Sequence, residues 1–182
     1  MTVYILLFRG VGGATQLPTK PLREALTRAG FENAGTYINS GNAYLKTDMP
    51  RGEMLKTVAE ICKTEFGFTK AIHAASLAEW KKLIKNNPFP DALEVPKFLH
   101  AAVLAEKPQA AKVEALRAVA SNGERVEIID KVAYLHTPNG FGTSKLAEKF
   151  DKGIGVENTA RNWNTVLKLL ELAEQAAKMT RE

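Results

Sequence analysis

The stretch 159–165, TARNWNT, holds the residues best suited to ligand chemistry and opens the predicted final helix. A helix N-terminus favours an anion and disfavours a cation. Arg161 near such a position is therefore unfavourable by itself, and a bound anion would offset that cost. This predicts a site for an anion or another polar ligand. The alternative is a helix start that Thr159 or Asn162 caps, with Trp163 as a buried anchor and no ligand. The predicted contacts are Arg161, Asn162 and Asn164.

A second predicted helix start also has a cation beside a capping residue. The segment 140–145, GFGTSK, precedes a short predicted helix, and Thr143 or Ser144 can cap it. Lys145 again places a cation in a first helical turn, so Ser144 and Lys145 are predicted ligand contacts. A capped turn without a ligand is the alternative. The pair is no nucleophile and base by itself, because neighbours on a helix point about 100° apart.

A glycine-rich loop follows the first predicted strand and precedes the first predicted helix. Its candidate contacts are Arg9, Gly10, Gly12 and Gly13. Loops in this position bind phosphates through backbone N–H groups. The sequence matches neither the Walker motif nor GxGxxG, so a tight connector is the alternative.

The segment 39–42, NSGN, predicts a hairpin turn between two short strands. Ser40 and Asn42 are kept as candidate ligand contacts. We expect this turn at the end of the sheet opposite the Arg9 loop of its own half, so contact between the two is not expected.

No metal or cofactor is predicted. His73, His100 and His136 lie in predicted strands without metal-ligand spacing and are interpreted as structural residues. Cys62 lies on the apolar stripe of a predicted helix and is interpreted as a core residue. With one cysteine, a disulfide within the chain is impossible.

Strand and helix patterns occur twice in the order strand–helix–strand–strand–helix–strand–helix. This order predicts an α+β protein of two tandem ferredoxin-like (split βαβ) units with a C-terminal amphipathic helix. The expected domains are residues 1–88 and 98–182, with a proline-rich connector at 89–97. One larger mixed sheet shared by both halves is the alternative.

Several element bounds follow from the same patterns. Predicted strands lie at 3–8, 36–38, 43–45, 68–74, 98–105, 125–129 and 132–136, with a stunted strand at 153–156. Predicted helices include 51–66, 108–120, 144–150 and 161–178, one that Thr19 caps, and one that a capping box at Ser76 and Glu79 begins.

Composition favours an ordinary globular chain with a mild cationic bias. Its 182 residues are 45% hydrophobic and 25% charged, and the net charge is +5. The excess is spread along the chain, which favours anionic partners only in general terms. The apolar run Val3–Phe8 is too short for a signal peptide or a membrane span, so we expect a cytoplasmic protein with no membrane partner.

Four stretches resemble a bacterial family known as domain of unknown function sixteen-ninety-seven. They are YILLFRGVGG at 4–13, TYINSGN at 36–42, GFGTSKL at 140–146 and TARNWNTVLKL at 159–169. The resemblance implies a duplicated ferredoxin-like fold and brings no reaction, cofactor or catalytic residue. The chain departs from the usual pattern after Gly10, where its loop is shorter and lacks the frequent asparagine.

Three functions remain open from the sequence. The first is a binding module for a phosphate-bearing ligand, either a nucleotide or nucleic acid. The second is a small enzyme that acts on a phosphorylated or carboxylated metabolite, although no acid–base pair or nucleophile can be named. The third is a structural or protein-interaction role, and the oligomeric state is not determined.

Overall fold

A computed structural model describes residues 1–180 of the chain. The strands are β1 (Thr2–Phe8), β2 (Glu32–Thr36), β3 (Asn42–Thr47), β4 (Ile72–Ser76), β5 (Leu99–Leu104), β6 (Arg125–Ile129), β7 (Val132–His136) and β8 (Asn158–Asn162). The helices are α1 (Thr19–Arg28), α2 (Arg51–Phe66), α3 (Leu77–Lys85), α4 (Ala110–Val119), α5 (Lys145–Gly153) and α6 (Trp163–Lys178). Two 3-10 helices, Pro90–Glu94 and Pro96–Phe98, form the connector.

The strands form two separate four-stranded sheets, in the orders β2-β3-β1-β4 and β6-β7-β5-β8. Every neighbouring pair in both sheets is antiparallel. The predicted α+β class is therefore confirmed. The alternative of one large mixed sheet is wrong, because each half pairs its own four strands.

One face of the first sheet packs against α1 and α2. Tyr4, Leu6 and Phe8 alternate along β1 and share a core with apolar residues of both helices. Those helix residues are Leu22, Leu26, Met54, Val58 and Cys62. The interpretation of Cys62 as a core residue is confirmed, and burial raises the pKa of its thiol to about 12. A thiol in this state is inert.

The second sheet has a core of the same kind. Ala102 and Leu104 of β5 and Ala133 and Leu135 of β7 face the apolar residues of α4 and α5. The helix residues are Val113, Leu116, Leu146 and Phe150.

The largest difference from the sequence prediction lies before the last helix. We expected a stunted strand at 153–156 and a helix from about Arg161. Instead α5 extends to Gly153, the strand β8 occupies Asn158–Asn162, and α6 begins at Trp163. β8 pairs along its whole length with β5, so backbone hydrogen bonds to a neighbouring strand stabilise this polar segment as a strand.

Smaller differences lie at other element ends. β4 begins at Ile72 rather than at residue 68, and β2 ends at Thr36. Thr19 does not cap α1, since Pro18 holds the cap position and no side-chain cap bond forms. The predicted capping box is confirmed: Ser76 N donates to Glu79 Oε2 at 2.8 Å, and Glu79 N donates to Ser76 Oγ at 3.2 Å.

The residues divide into two compact units. Unit 1 comprises Met1–Lys81 and the stretch from Lys168 onward, and unit 2 comprises Lys82–Leu167. The predicted domains, residues 1–88 and 98–182 with a connector at 89–97, stay a prediction. No helix among residues 1–180 is long and apolar enough to cross a membrane.

Candidate functional site

The glycine loop of unit 1 leaves the end of β1 and is held at several points. Arg9 N donates to Ala71 O at 3.0 Å. Gly12 and Thr15 exchange two backbone hydrogen bonds of 2.7 and 3.0 Å, which close a tight turn. Gly10 has φ +67°, and a Cβ there would lie 2.9 Å from Lys70 Nζ. The left-handed conformation therefore favours glycine at this position, whereas the flexible end of Lys70 could move away from a Cβ.

Lys70 brings a cation to this loop. Its Nζ donates to Gly10 O at 3.2 Å and to Thr15 Oγ1 at 3.1 Å. An ammonium group has three donors, so one N–H of Lys70 remains available.

The same loop presents backbone donors. The N–H groups of Gly10, Val11, Gly13 and Ala14 have no acceptor among the described residues. Gly10, Gly13 and Ala14 are exposed residues, and Val11 is half-buried. Exposed N–H groups beside an ammonium group are suited to an oxyanion.

The β2–β3 turn lies beside this loop, contrary to our expectation from the sequence. Phe8 N donates to Gly41 O at 2.9 Å, and Leu7 of β1 pairs with Asn42. The reason is strand direction. Because β3 runs antiparallel to β1, the first residues of β3 lie beside the last residues of β1, at the same end of the strands.

Ser40 and Asn42 have different environments within this turn. Asn42 is only 2% exposed, and its Nδ2 donates to Tyr37 O at 3.2 Å and Ser40 Oγ at 3.1 Å. Ser40 is exposed. Asn42 therefore closes the turn from inside, whereas Ser40 presents its side chain at the surface.

In unit 2, Ser144 caps α5 as expected. Its Oγ accepts a hydrogen bond from Ala147 N at 3.1 Å and donates to Glu124 Oε2. Lys145, the first residue of α5, is exposed. These residues border a polar cavity of about 200 Å³ that Ser121, Asn139 and Thr143 also line. The carboxylate of Glu124 already places a negative charge beside this helix start.

Arg161 does not lie at a helix start. It is a residue of β8, two positions before α6, and only 9% of it is exposed. Its Nη1 donates to Thr159 Oγ1 at 2.6 Å and to Ala160 O at 2.8 Å. Burial lowers the pKa of Arg161 to about 10. Arg161 thus precedes the last helix instead of lying in its first turn, and ligand contact by Arg161 stays a prediction.

Asn162 performs the capping that the sequence indicated. Its Oδ1 accepts a hydrogen bond from Asn164 N at 3.0 Å, and its Nδ2 donates to Lys97 O at 2.9 Å. Trp163 is 1% exposed, which confirms its predicted burial. Asn164 is exposed, and its side chain has no hydrogen-bond partner within residues 1–180.

The buried stripe of α6 differs in part from the one that helical spacing in the sequence predicts, which is Trp163, Val166, Leu167, Leu170, Ala173 and Ala177. Leu167 and Ala177 are exposed, because the buried face runs through other positions. The buried residues are Trp163, Val166, Leu169, Ala173 and Ala176.

His100 lies between the two predicted sites of unit 2. It pairs with Asn162 across β5 and β8, and its ring stacks on Phe141 with ring centroids 3.9 Å apart. Its buried Nδ1 has no hydrogen-bond partner within residues 1–180, and burial lowers its pKa to about 4. His100 thus remains neutral at ordinary pH. Residues 1–180 contain no group of three or more His, Cys, Asp or Glu side chains that could hold a metal ion.

Sequence reasoning missed two charged residues of these regions. Lys70 follows a helix end in an ordinary connecting segment and gives no local signal. Glu124 does have a signal, since residues 121–124 read SNGE, a Ser-x-x-Glu pattern. Ser121 N donates to Glu124 Oε1 at 3.1 Å, a bond also found in capping boxes, but residues 121–124 form a turn before β6 and not a helix start.

Comparison with known proteins identifies the family. Residues 1–134 match the family described as "Protein of unknown function (DUF1697)". The chain belongs to this family. The resemblance to this family is thereby confirmed, and the stretches at 4–13 and 36–42 lie within the matched residues. No curated protein matches the chain.

A solved structure of similar fold comes from a bacterium. It is the conserved bacterial protein SP0830 from Streptococcus pneumoniae, with a TM-score of 0.75 and 19% sequence identity. The alignment covers 94% of this chain and 98% of that one. At this identity the likeness shows that the two proteins share a fold.

Proposed function

We propose that this chain is a binding module for a phosphate-bearing ligand, and that the glycine loop of unit 1 is the binding site. The observation that carries the proposal is the set of N–H groups of Gly10, Val11, Gly13 and Ala14, which lack acceptors among residues 1–180. Lys70 supplies the positive charge beside them. An oxyanion at this position would accept several N–H bonds and pair with an ammonium group.

Unit 2 supports the proposal less well. At the start of α5, Glu124 accepts a hydrogen bond from the capping Ser144, so a second anion there would meet like charge. Arg161 is buried, and its Nη1 donates to neighbours in its own strand. The candidate contacts Ser144, Lys145, Asn162 and Asn164 therefore remain secondary to the loop of unit 1.

The proposal includes a finer fold assignment, namely that each unit is ferredoxin-like. The orders β2-β3-β1-β4 and β6-β7-β5-β8 support it, since the split βαβ plan places its first and third strands at the centre. The cores give further support, because α1 and α2 pack on one face of their sheet, as α4 and α5 do on theirs.

A cytoplasmic location and an anionic partner are parts of the same proposal. The single buried thiol of Cys62 suits a reducing compartment, and the net charge of +5 favours anions. Nucleic acid is the larger partner that the same chemistry would accept. Its binding would weaken steeply with salt, whereas a small phosphate ligand would depend on salt far less.

The test is thermal unfolding with and without inorganic phosphate and methyl phosphate. A ligand that binds only the folded protein raises the melting temperature. We expect this increase in the wild type and its loss in Lys70→Ala. The matched control is Lys56→Ala, which removes an exposed lysine from α2 and should keep the increase. No increase with any phosphate, or an equal increase in Lys70→Ala, would contradict the proposal.

A further inference from the structure

The β2–β3 turn contains a residue whose type its conformation does not favour. Among residues 1–180, the non-glycine residues with positive φ are Asn33, Ile38, Asn122 and Asp130. Asparagine and aspartate tolerate this region through local hydrogen bonds of their short side chains. Ile38, at φ +46°, is β-branched, for which a positive φ is a genuine outlier.

The exposure of the Ile38 side chain to water is also unfavourable. Its side chain is 49% exposed, although an aliphatic side chain of this size gains free energy by burial. Glycine or asparagine would satisfy the turn with less strain and less exposed apolar surface. Folding alone thus does not account for isoleucine at this position, and such local conflicts concentrate at functional sites.

The turn places Ile38 at the same end of the strands as the glycine loop. Tyr37 N donates to Asn42 O at 3.0 Å, and this bond closes the turn of residues 38–41. At its far end, a Cβ on Gly41 would lie 2.7 Å from Phe8 O and 2.9 Å from Val11 Cγ2. Turn and loop are therefore in direct contact, with an apolar side chain on the turn and unoccupied N–H donors on the loop.

From this juxtaposition we propose that the ligand is a phosphate monoester whose organic group contains an aromatic ring, such as a nucleoside monophosphate. The phosphate binds the N–H groups of the loop and Lys70, and the flat ring covers the exposed side chain of Ile38. The inference rests on the proposed phosphate site and adds the chemical class of the group that the phosphate carries. Covering Ile38 removes apolar surface of both ring and side chain from water. The free energy gained in this way on binding offsets the cost of the strained backbone at Ile38.

The test compares ligands that carry the same phosphate but differ in the organic group. Calorimetric titration would give dissociation constants for methyl phosphate, phenyl phosphate and adenosine monophosphate. We expect the two aromatic esters to bind wild type about tenfold more tightly than methyl phosphate, the gain from burying roughly 50 Å² of apolar surface. In Ile38→Asn this preference should disappear while methyl phosphate affinity is unchanged.

Two further variants separate the possible results. Leu93→Asn removes another exposed aliphatic side chain, in unit 2, and should keep the preference for aromatic esters. Lys70→Ala should lose all three ligands. The wild-type comparison of methyl with phenyl phosphate needs no variant, so it tests the preference for an aromatic group even if Ile38→Asn folds poorly.

Failure of this inference and failure of the proposed function give different results. If no ester binds the wild type, the phosphate site itself is refuted. If methyl and phenyl phosphate bind equally and Lys70→Ala abolishes both, the phosphate site stands and the aromatic ligand class is refuted. Equal weakening of all three ligands by Ile38→Asn would also refute the inference, because Ile38 would then shape the loop rather than contact a ring.

Discussion

Arg125 Nη2 lies 2.8 Å from Nδ1 of His136, its cross-strand partner on β7. A guanidinium group can only donate, so Nδ1 is the acceptor and this nitrogen carries no proton. Arg125 also donates to both carboxylate oxygens of Asp91, at 3.2 and 2.7 Å, and its guanidinium lies 4.4 Å from the centre of the Phe89 ring. These contacts attach the connector to the edge of the second sheet.

Removing Asp91 should therefore loosen the connector without unfolding the protein. In Asp91→Ala both hydrogen bonds from Arg125 are lost, and we expect limited proteolysis within residues 89–97 to become faster than in wild type. Glu94→Ala is the matched control, since Glu94 is an exposed acidic residue of the same 3-10 helix. Equal cleavage rates in the two variants would mean that the Arg125 contacts do not hold the connector.

His100 should make stability depend on pH below neutrality. Burial lowers its folded-state pKa to about 4, whereas the unfolded value is about 6.5. Between these values the unfolded chain binds more protons, so this contribution is complete above about pH 6.5 and is lost as pH falls toward 4. The full loss amounts to about 3 kcal/mol.

Urea unfolding of wild type and His100→Gln from pH 7 to pH 4 measures this contribution. Carboxylates titrate in both proteins, so the difference between the two curves isolates His100. We expect wild type to lose more stability than the variant across this range. Parallel curves would show that His100 titrates alike in the folded and unfolded chain.

Replacing Arg161 should lower the stability of the protein far more than replacing Lys145, although the sequence suggested similar roles for the two residues. Arg161→Ala removes, at a buried position, the hydrogen bonds from Nη1 to Thr159 Oγ1 and Ala160 O, and should destabilise by about 1–3 kcal/mol. Lys145→Ala removes an exposed cation from a helix start and should change stability by less than about 0.5 kcal/mol. Denaturant midpoints check both values, and Arg161→Met shows how much of the loss comes from lost volume. An unchanged midpoint for Arg161→Ala would contradict the buried placement.

In the β2–β3 turn, replacing Asn42 should likewise lower stability more than replacing Ser40. Asn42→Ala deletes the buried donor to Tyr37 O and Ser40 Oγ, and we expect a loss of about 1–3 kcal/mol in the free energy of unfolding. Ser40→Ala leaves the bond to Tyr37 O in place and should cost less than about 1 kcal/mol. If Asn42→Ala were as stable as wild type, a structural role for Asn42 would be excluded and a ligand-binding role favoured.

The sequence by itself determined those elements whose signals are local. The bounds Arg51–Phe66 of α2, the strands Arg125–Ile129 and Val132–His136, and the capping box of Ser76 were all predicted and confirmed. Each depends on residues a few positions apart, such as an apolar stripe with a glycine at its end or a polar side chain at a first helical turn. The family could also be inferred from four short stretches.

Only the tertiary structure decided where the candidate ligand contacts lie. The segment NTARN lacks an alternating apolar pattern, and it becomes β8 because β5 supplies backbone partners from more than 50 positions earlier in the chain. Lys70 reaches the loop at Gly10 across 60 positions, so no local pattern could indicate it. Strand pairing and the approach of distant charges depend on which chain segments become neighbours, and that is settled by the folding of the whole sheet.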